Sequence, residues 1–593
     1  MAKLVLVCFR DPASIRAVDV AARVRRFLAS LCPDNLIPSD PVVATDGRGL
    51  FLGVFNPSDP AAVRDCSAYA GWLADHRESW WEPGTPAPVG SYALLRSCPA
   101  TVEARSDYAA SRTIWIAQTD EVFVASTTQR AIPYFLGSYE PNATAHAWML
   151  SCGTLGPSIG WDKRAHPLGP AASARLDRAR WQLTIREPGV DFELDPVPDD
   201  VHARRLDAAL ESTIGSLKLD VSNWVLPLSG GFDSRAILLL MKDRAGLRTV
   251  TWGRGDALRQ RGMDAYVARQ VAKALDVEHR YFETDLSDEP IEILLDRYLV
   301  AGDGRTDGIL AYMDGFQTWR LLFESGVRGV IRGDHGFGPG PCPPLRDHVH
   351  AMHFDSMPRW RDHPGLPTFT SFSMPQLDRQ ELPDWFEPRS GESPEEWRDR
   401  LYLLYRVPNY HGGQSDLKSA YVEIASPYLA RPVLELTKTW PEHLRNGKSL
   451  FRRVIAPRDI PVPYAVESAL VPPRELLGEA RLRDLVCDEL SSESTRGIFA
   501  PPFVDFLLSA WPKDPVAAGT ARFKTARRYL RMWTPQGLRS RIQKEARTKS
   551  IDLRWVALRA YIVCRMQARL AVASRDAART AYVPQRAAAV ATG

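Results

Sequence analysis

Apolar and polar positions alternate in short runs through the first 195 residues. Thr113-Ile-Trp-Ile-Ala117 and Glu121-Val-Phe-Val-Ala125 are examples, each closed by polar turn residues. A period of two puts alternate side chains on opposite faces of a strand, so this region is predicted to be β-rich. The opening stretch to Phe9 is apolar, but Arg10 and Asp11 follow at once; it is read as a first strand rather than a signal peptide. Residues 80–88 read as a loop and 195–200 as a linker. An amphipathic helix is predicted over 201–217.

After the linker the pattern changes. Apolar runs at 224–228, 249–252, 280–282 and 327–331 are separated by helical periodicity from 234, over 263–275 and over 316–323. Strand–helix alternation means a parallel sheet with helices on its faces, and such sheets bind ligands at the carboxyl ends of their strands. Further helices are predicted at 401–406, 414–425, 432–440, 449–455 and 553–573. The stretches 338–347 and 356–397 are long loops, the kind that serve as lids or substrate contacts.

Composition adds limits. At 593 residues the chain needs more than one core. No apolar run reaches the roughly 18–20 residues of a membrane span. The eight cysteines are scattered with no CxxC pair, which points to free thiols in a cytoplasmic protein and away from zinc. Net charge is +4, yet residues 521–593 hold seventeen Lys/Arg against three acids, so that region carries +14 and the remainder −10. Such a tail either draws an anionic partner or is the solvated face of Arg-rich helices. No nucleic-acid partner is assigned.

The chemistry concentrates in Ser-Gly-Gly-Phe-Asp-Ser at 229–234, between the apolar run 224–228 and a second at 236–241. A strand, a glycine turn and a helix start make an anion cradle: backbone N–H groups point at a phosphate, and Ser229 and Ser234 add hydroxyls. Asp233 beside a phosphate makes sense with a divalent cation between them.

This string in this context resembles the ATP-pyrophosphatase family in its asparagine-synthetase branch, whose members adenylate a carboxylate and hold pyrophosphate with Mg²⁺ in the cradle. Further segments carry the likeness. Thr251-Trp-Gly253, followed by Asp264, Ala268 and His279, is similar to the family's second strand, which flanks adenine. Gly333-Asp-His-Gly-Phe-Gly338 resembles its second metal-ligand turn. Glu423-Ile-Ala-Ser-Pro-Tyr-Leu429 resembles its substrate-side segment, and Asn446-Gly-Lys448 before Leu450-Phe-Arg452 its late Gly-Lys helix. The runs at 106–115 and 122–126 resemble the glutaminase sheet.

The resemblance implies an α/β protein: a degenerate glutaminase-like (Ntn-type αββα) sandwich at 1–195, then a parallel-sheet ATP-binding synthetase domain at 201–593 with a basic helical region from about 521. It implies ATP and Mg²⁺ as ligands. Leu228, Ser229, Gly230, Gly231, Asp233, Ser234, Thr251, Trp252 and Gly333 would bind the nucleotide. Asp233 and Asp334 would bind the metal, and Ser229, Asp233, Asp334 and Lys448 would act in catalysis.

Three departures shape the expected reaction. Position 2 is Ala, where a working glutaminase of this family needs Cys. After Ile460-Pro461 the chain reads Glu467-Ser-Ala469, where the family places Arg-x-Lys, leaving Lys448, Arg452 and Arg458 as candidate cations. The turn at Asp334 is preceded by a shortened sequence. With no internal ammonia source, the nucleophile is expected on the substrate, as in lasso-peptide cyclases and β-lactam synthetases. Length and the long loops favour the former, a macrolactam synthetase acting on a precursor peptide that a leader peptidase and a leader-binding protein supply. A small-amino-acid ligase, an ammonia-dependent asparagine synthetase and a non-catalytic peptide scaffold are the alternatives. Tyr421, Glu423 and His335 are candidate bases for the amine.

Overall fold

The period-two runs of the first half build two six-stranded antiparallel sheets. The first has the order His166–Pro167, Trp115–Gln118, Val122–Ser126, Lys3–Phe9, Leu50–Phe55, Val42–Thr45. The second runs Gln182–Arg186, Ser173–Asp177, Thr101–Ser106, Gly90–Ser97, Ser67–Leu73, Val63–Arg64. Alternation sorts the side chains. Leu4, Leu6, Leu52 and Val54 meet Ala68, Ala93, Leu95 and Val102 between the sheets. Val5 and Val7 point the other way, into a cluster with Val24 and Leu28 of helix Ala17–Ala29. The computed structural model describes residues 2–57, 62–74, 78–217, 219–334, 336, 359–363, 365–380, 382–511 and 551–579.

One expected layer is supplied differently. Among the described residues the sandwich's helices contact the first sheet, whereas the second sheet meets the segment Pro427–Leu429 and a strand of the parallel unit. Trp72 is accordingly buried in the parallel unit's core, and Ser426 donates its N–H to Ser91 Oγ at 3.0 Å.

The second half forms one five-stranded, wholly parallel sheet: β1 (Trp224–Pro227), β2 (Arg248–Gly253), β3 (Glu278–Glu283), β4 (Gly329–Ile331) and β5 (Glu423–Ala425), in the order β3-β2-β1-β4-β5. Helices α1 (Asp199–Gly215), α2 (Phe232–Leu240) and α3 (Asp264–Ala274) follow the linker and the first two strands. From Ser234 to Leu240 every residue of α2 is buried, as expected of a helix enclosed between a sheet and further helices.

Two expectations beyond residue 400 are corrected. The helix expected at 414–425 stops at Lys418, and Glu423–Ala425 is strand β5, whose backbone is needed to pair with β4. The helix at 401–406 is the end of Pro394–Leu401 followed by a ten-residue π-helix, Tyr402–His411. The late helix, Leu553–Arg579, does not stand apart as a basic tail. It lies on Ala131–Leu136 and Ala143–Cys152 of the first half, burying Val556, Ala560, Val563 and Met566. Three of its arginines are paired with acids elsewhere in the fold: Arg559 with Asp307 at 2.7 Å, Arg565 with Glu489 at 3.5 Å, and Arg569 with Asp296. Of the rest of the basic region, 521–550 and 580–593 lie outside the described residues. No described helix is long and apolar enough to cross a membrane.

Candidate functional site

In the order β3-β2-β1-β4-β5 the chain winds outward in opposite directions from β1 and β4, which opens a crevice at their carboxyl ends. The loop 228–231 after β1, the end of β2 and the turn 332–334 after β4 all lie there.

The loop is anchored by backbone and small hydroxyls. Leu228 N–H donates to Val250 O at 2.8 Å, and the Thr251 hydroxyl donates to Leu228 O. Ser229 N–H donates to Ser234 Oγ at 3.0 Å, Gly231 N–H donates to Ser229 Oγ at 3.1 Å, and the two hydroxyl oxygens stand 3.1 Å apart. Gly230 is required by spacing: a Cβ there would lie 2.4 Å from Ala465 Cβ. A Cβ on Gly333 would sit 3.1 Å from Asp233 Cβ, so the end of β4 rests directly against the start of α2.

This bonding narrows the expected cradle. The N–H groups of Ser229 and Gly231 are given to hydroxyls, and that of Gly230 faces the Asp264 carboxylate together with the N–H of Ala469. The first-turn N–H groups of α2, at 232–234, are then the donors a helix start leaves over. Burial pushes the Asp264 carboxyl up to about 6 despite those two N–H groups.

The segment 465–469, where a cationic pair is expected from the family, is a strap. Ala465 N–H donates to Gly230 O, Val466 N–H to Gly262 O and Arg254 N–H to Ala469 O, each at 2.9 Å, and Asp264 N–H donates to Glu467 O at 3.0 Å. It pins the loops after β1 and β2 together.

Both expected metal-binding carboxylates are met by cations. Asp233 receives Lys448 Nζ on both oxygens, at 2.7 and 2.6 Å; burial draws the Lys448 ammonium down, against the pull of Asp233. Of the other candidate cations, Arg458 turns to Asp207 and Glu211, while Arg452 donates to Gly447 O and covers the Phe232 ring. Asp334 is gripped by Arg332 through Nε at 2.9 Å and Nη2 at 3.0 Å, and His411 Nδ1 stands 3.5 Å away. Burial by itself would raise the Asp334 carboxyl, but Arg332 and His411 outweigh it and hold it well below the usual carboxylate range. Two hard oxygen donors beside a phosphate loop suit Mg²⁺ in kind, since that ion takes one or two carboxylates and completes its shell with phosphate and water. Among the described residues no group of three or more His, Cys, Asp or Glu is placed to hold a metal ion.

The opposite wall was not expected from the sequence. Residues nine apart fall on opposite faces of an α-helix, which turns every 3.6 residues. The wider turn of the π-helix returns them to one face, and Tyr402 OH and His411 Nε2 stand 3.4 Å apart. Arg406 lies over the rings of Tyr402 and Tyr410. Tyr428 OH donates to Asp233 O at 3.2 Å. Lys418 is buried below, its Nζ donating to Gln414 O at 2.6 Å and facing the rings of Tyr312 and Trp319. Burial, aided by Arg332, holds its ammonium well below the usual lysine range. Trp319 meets the Trp252 ring edge-on at 5.2 Å, which links this wall to the end of β2.

The candidate bases fare differently. Tyr421 OH donates to Asn35 Oδ1 at 2.7 Å. Glu423, 3% exposed, accepts the N–H of Ala2 with Arg112 at 3.6 Å. Both are structural contacts to the sandwich and are not brought to the crevice. His335 lies outside the described residues.

Residues 216–336 match the family Asparagine synthase, so this segment is asparagine synthetase-like. The match covers the phosphate loop and the turn at Asp334. No curated protein matches the chain. Two solved structures overlap it at 10% identity. One is an allosteric regulatory enzyme of purine biosynthesis, with 53% of this chain and 93% of that one covered at a TM-score of 0.23. The other is the glutamine phosphoribosylpyrophosphate amidotransferase of B. subtilis complexed with ADP and GMP, with 58% and 83% covered at a TM-score of 0.21. At those scores neither bears on the reading of this chain.

Proposed function

We propose that the chain is an ATP-dependent carbon–nitrogen ligase. It adenylates the Asp or Glu side chain of a processed precursor peptide and closes a macrolactam with the peptide's own N-terminal amine, releasing AMP and pyrophosphate. The observation that carries the ligase reading is the bonded Ser229–Ser234 loop at the β1/β4 crevice, inside the segment that matches asparagine synthase. The peptide substrate rests on the resemblance to lasso-peptide cyclases. Ala2, with its methyl side chain and an N–H donated to Glu423, fits an amine that arrives on the substrate. A peptidase that frees the core peptide and a leader-binding protein are the partners such a substrate needs, and the cytoplasm is the proposed place of action.

A carboxylate is a poor electrophile, which is why activation precedes amide formation. In the adenylation step the leaving pyrophosphate lies against the first-turn N–H groups of α2 and the hydroxyls of Ser229 and Ser234. These donors are oriented before the reaction, so they stabilise the developing charge without reorganisation. Lys448 adds a cation within reach of the same oxygens. Asp233 and Asp334 would hold Mg²⁺, which supplies neutralisation of phosphate charge when bound. Tyr402, Arg406 and His411 form the facing wall, where ordering the flexible peptide lowers the entropic cost of ring closure.

ATP–pyrophosphate exchange with candidate leaderless core peptides tests this. Exchange by the wild type, reduced at least about a hundredfold by Asp233→Ala, is expected. No exchange with any carboxylate substrate, and no difference between the two proteins, would leave a binding scaffold. Exchange with free aspartate or a small β-amino acid would reassign the substrate.

A further inference from the structure

The Lys448–Asp233 contact has features that an incidental ion pair lacks. The lysine reaches the loop from the short segment Asn446–Lys448, in which Gly447 (φ 62) and Lys448 (φ 59) are both left-handed. Lys448 adopts that conformation without glycine's freedom, and strain of this kind persists only where the surroundings fix it. Those surroundings are present: Arg452 Nε donates to Gly447 O at 3.1 Å, and the Phe451 ring packs edge-on against Phe232 of α2 at 5.2 Å. The base of the lysine is thus fixed relative to the phosphate loop, while its four-carbon stem leaves the ammonium free to swing. The Lys448 and Asp233 side chains keep 17% and 28% exposure, so solutes reach the pair.

We infer that Lys448 holds the place of the divalent cation in the nucleotide-free protein, so that the phosphate loop takes up metal more readily together with nucleotide than alone. The inference rests on the ligase reading above. A bare metal ion arriving at Asp233 must displace an ammonium bonded to both carboxylate oxygens. A polyphosphate offers that ammonium a second set of charged acceptors, and its move onto them opens Asp233 to the metal that the nucleotide carries. The exchange belongs to Asp233 rather than Asp334, because the planar guanidinium of Arg332 grips Asp334 through two donors.

Mn²⁺ binding to the full chain, followed by electron paramagnetic resonance without nucleotide, is the test. Lys448→Met is expected to bind Mn²⁺ roughly fivefold more tightly than wild type, the ratio that corresponds to one solvent-reached ion pair at the upper end of its usual range. Lys448→Arg should behave as wild type, and Asp233→Asn with Lys448→Met should lose the gain. With α,β-methylene-ATP present, wild type and Lys448→Met should both take up Mn²⁺. Equal nucleotide-free affinity in wild type and Lys448→Met, or a gain that survives Asp233→Asn, would overturn the inference. Lys448→Gln, which keeps length and hydrogen bonding, gives the same readout should the Met variant fail to fold. If wild type does not bind the nucleotide analogue at all, the ligase reading fails, whatever the metal result.

Discussion

On one side of the crevice, at the ends of β1 and β2, main-chain bonding dominates, and the side chains that join it are the hydroxyls of Ser229, Ser234 and Thr251 and the Asp264 carboxylate. Gly230 lets Ala465 close in, Leu228 is held through its backbone, and the strap 465–469 bonds main chain to main chain. On the other side nearly everything is side-chain chemistry: the π-helix brings Tyr402, Arg406, Tyr410 and His411 to one wall, with His411 beside the Asp334 carboxylate that Arg332 grips. The first wall suits a ligand part common to all nucleotides. The second suits the part that differs from one enzyme to another.

That division can be broken by mutation. The largest effect is expected for Gly230→Ala, whose Cβ would meet Ala465 at 2.4 Å. Forcing loop and strap apart should cost about 1–3 kcal/mol of stability and most of the nucleotide affinity, read by thermal melts and an ATP titration. Wild-type ATP affinity in this variant would refute a wall built on backbone spacing. A smaller and differently shaped loss is expected for His411→Ala: exchange rate down roughly tenfold, typical of removing a group that orients a functional carboxylate, with ATP affinity nearly unchanged. The reverse split would move the π-helix to the nucleotide side.

The smallest effect concerns Asp264, which touches the loop through Gly230. Its carboxyl is raised to about 6 when folded, against about 3.9 in an unfolded chain. The folded state therefore holds the proton more tightly between those values, and stability must fall as pH rises from about 4 to 6. Asp264→Asn removes that slope. Melting temperatures at pH 4.5, 5.5 and 7 should show the variant gaining on wild type as pH rises; parallel curves would exclude the carboxyl.

The same division decides what the sequence made legible. Strands β1 to β4 and the loop between β1 and α2 follow from apolar runs and a glycine turn, because local rules govern them. Lys448 could be named but not aimed, since its direction depends on two left-handed residues that only Gly447 hints at. Tyr402 and His411 were unreadable together, because α-helical periodicity sets them on opposite faces. Strand β5 reads as helix in the sequence: three residues have no measurable period, and only pairing with β4 makes them a strand. Glu423 shows the opposite failure, a residue with a clear motif whose carboxylate turns to the N–H of Ala2 and not to the crevice.

The late helix Leu553–Arg579 has a consequence for how the protein is made. It covers Ala131–Leu136 and Ala143–Cys152, which leave the ribosome more than four hundred residues earlier. At about 5–20 residues per second, the sandwich waits roughly 20 to 85 s in synthesis before its apolar outer face is covered. During that interval a nascent chain exposes what the finished protein buries, so slow translation or truncation before the last helix would present the cell with a chain whose first half is left sticky on that face.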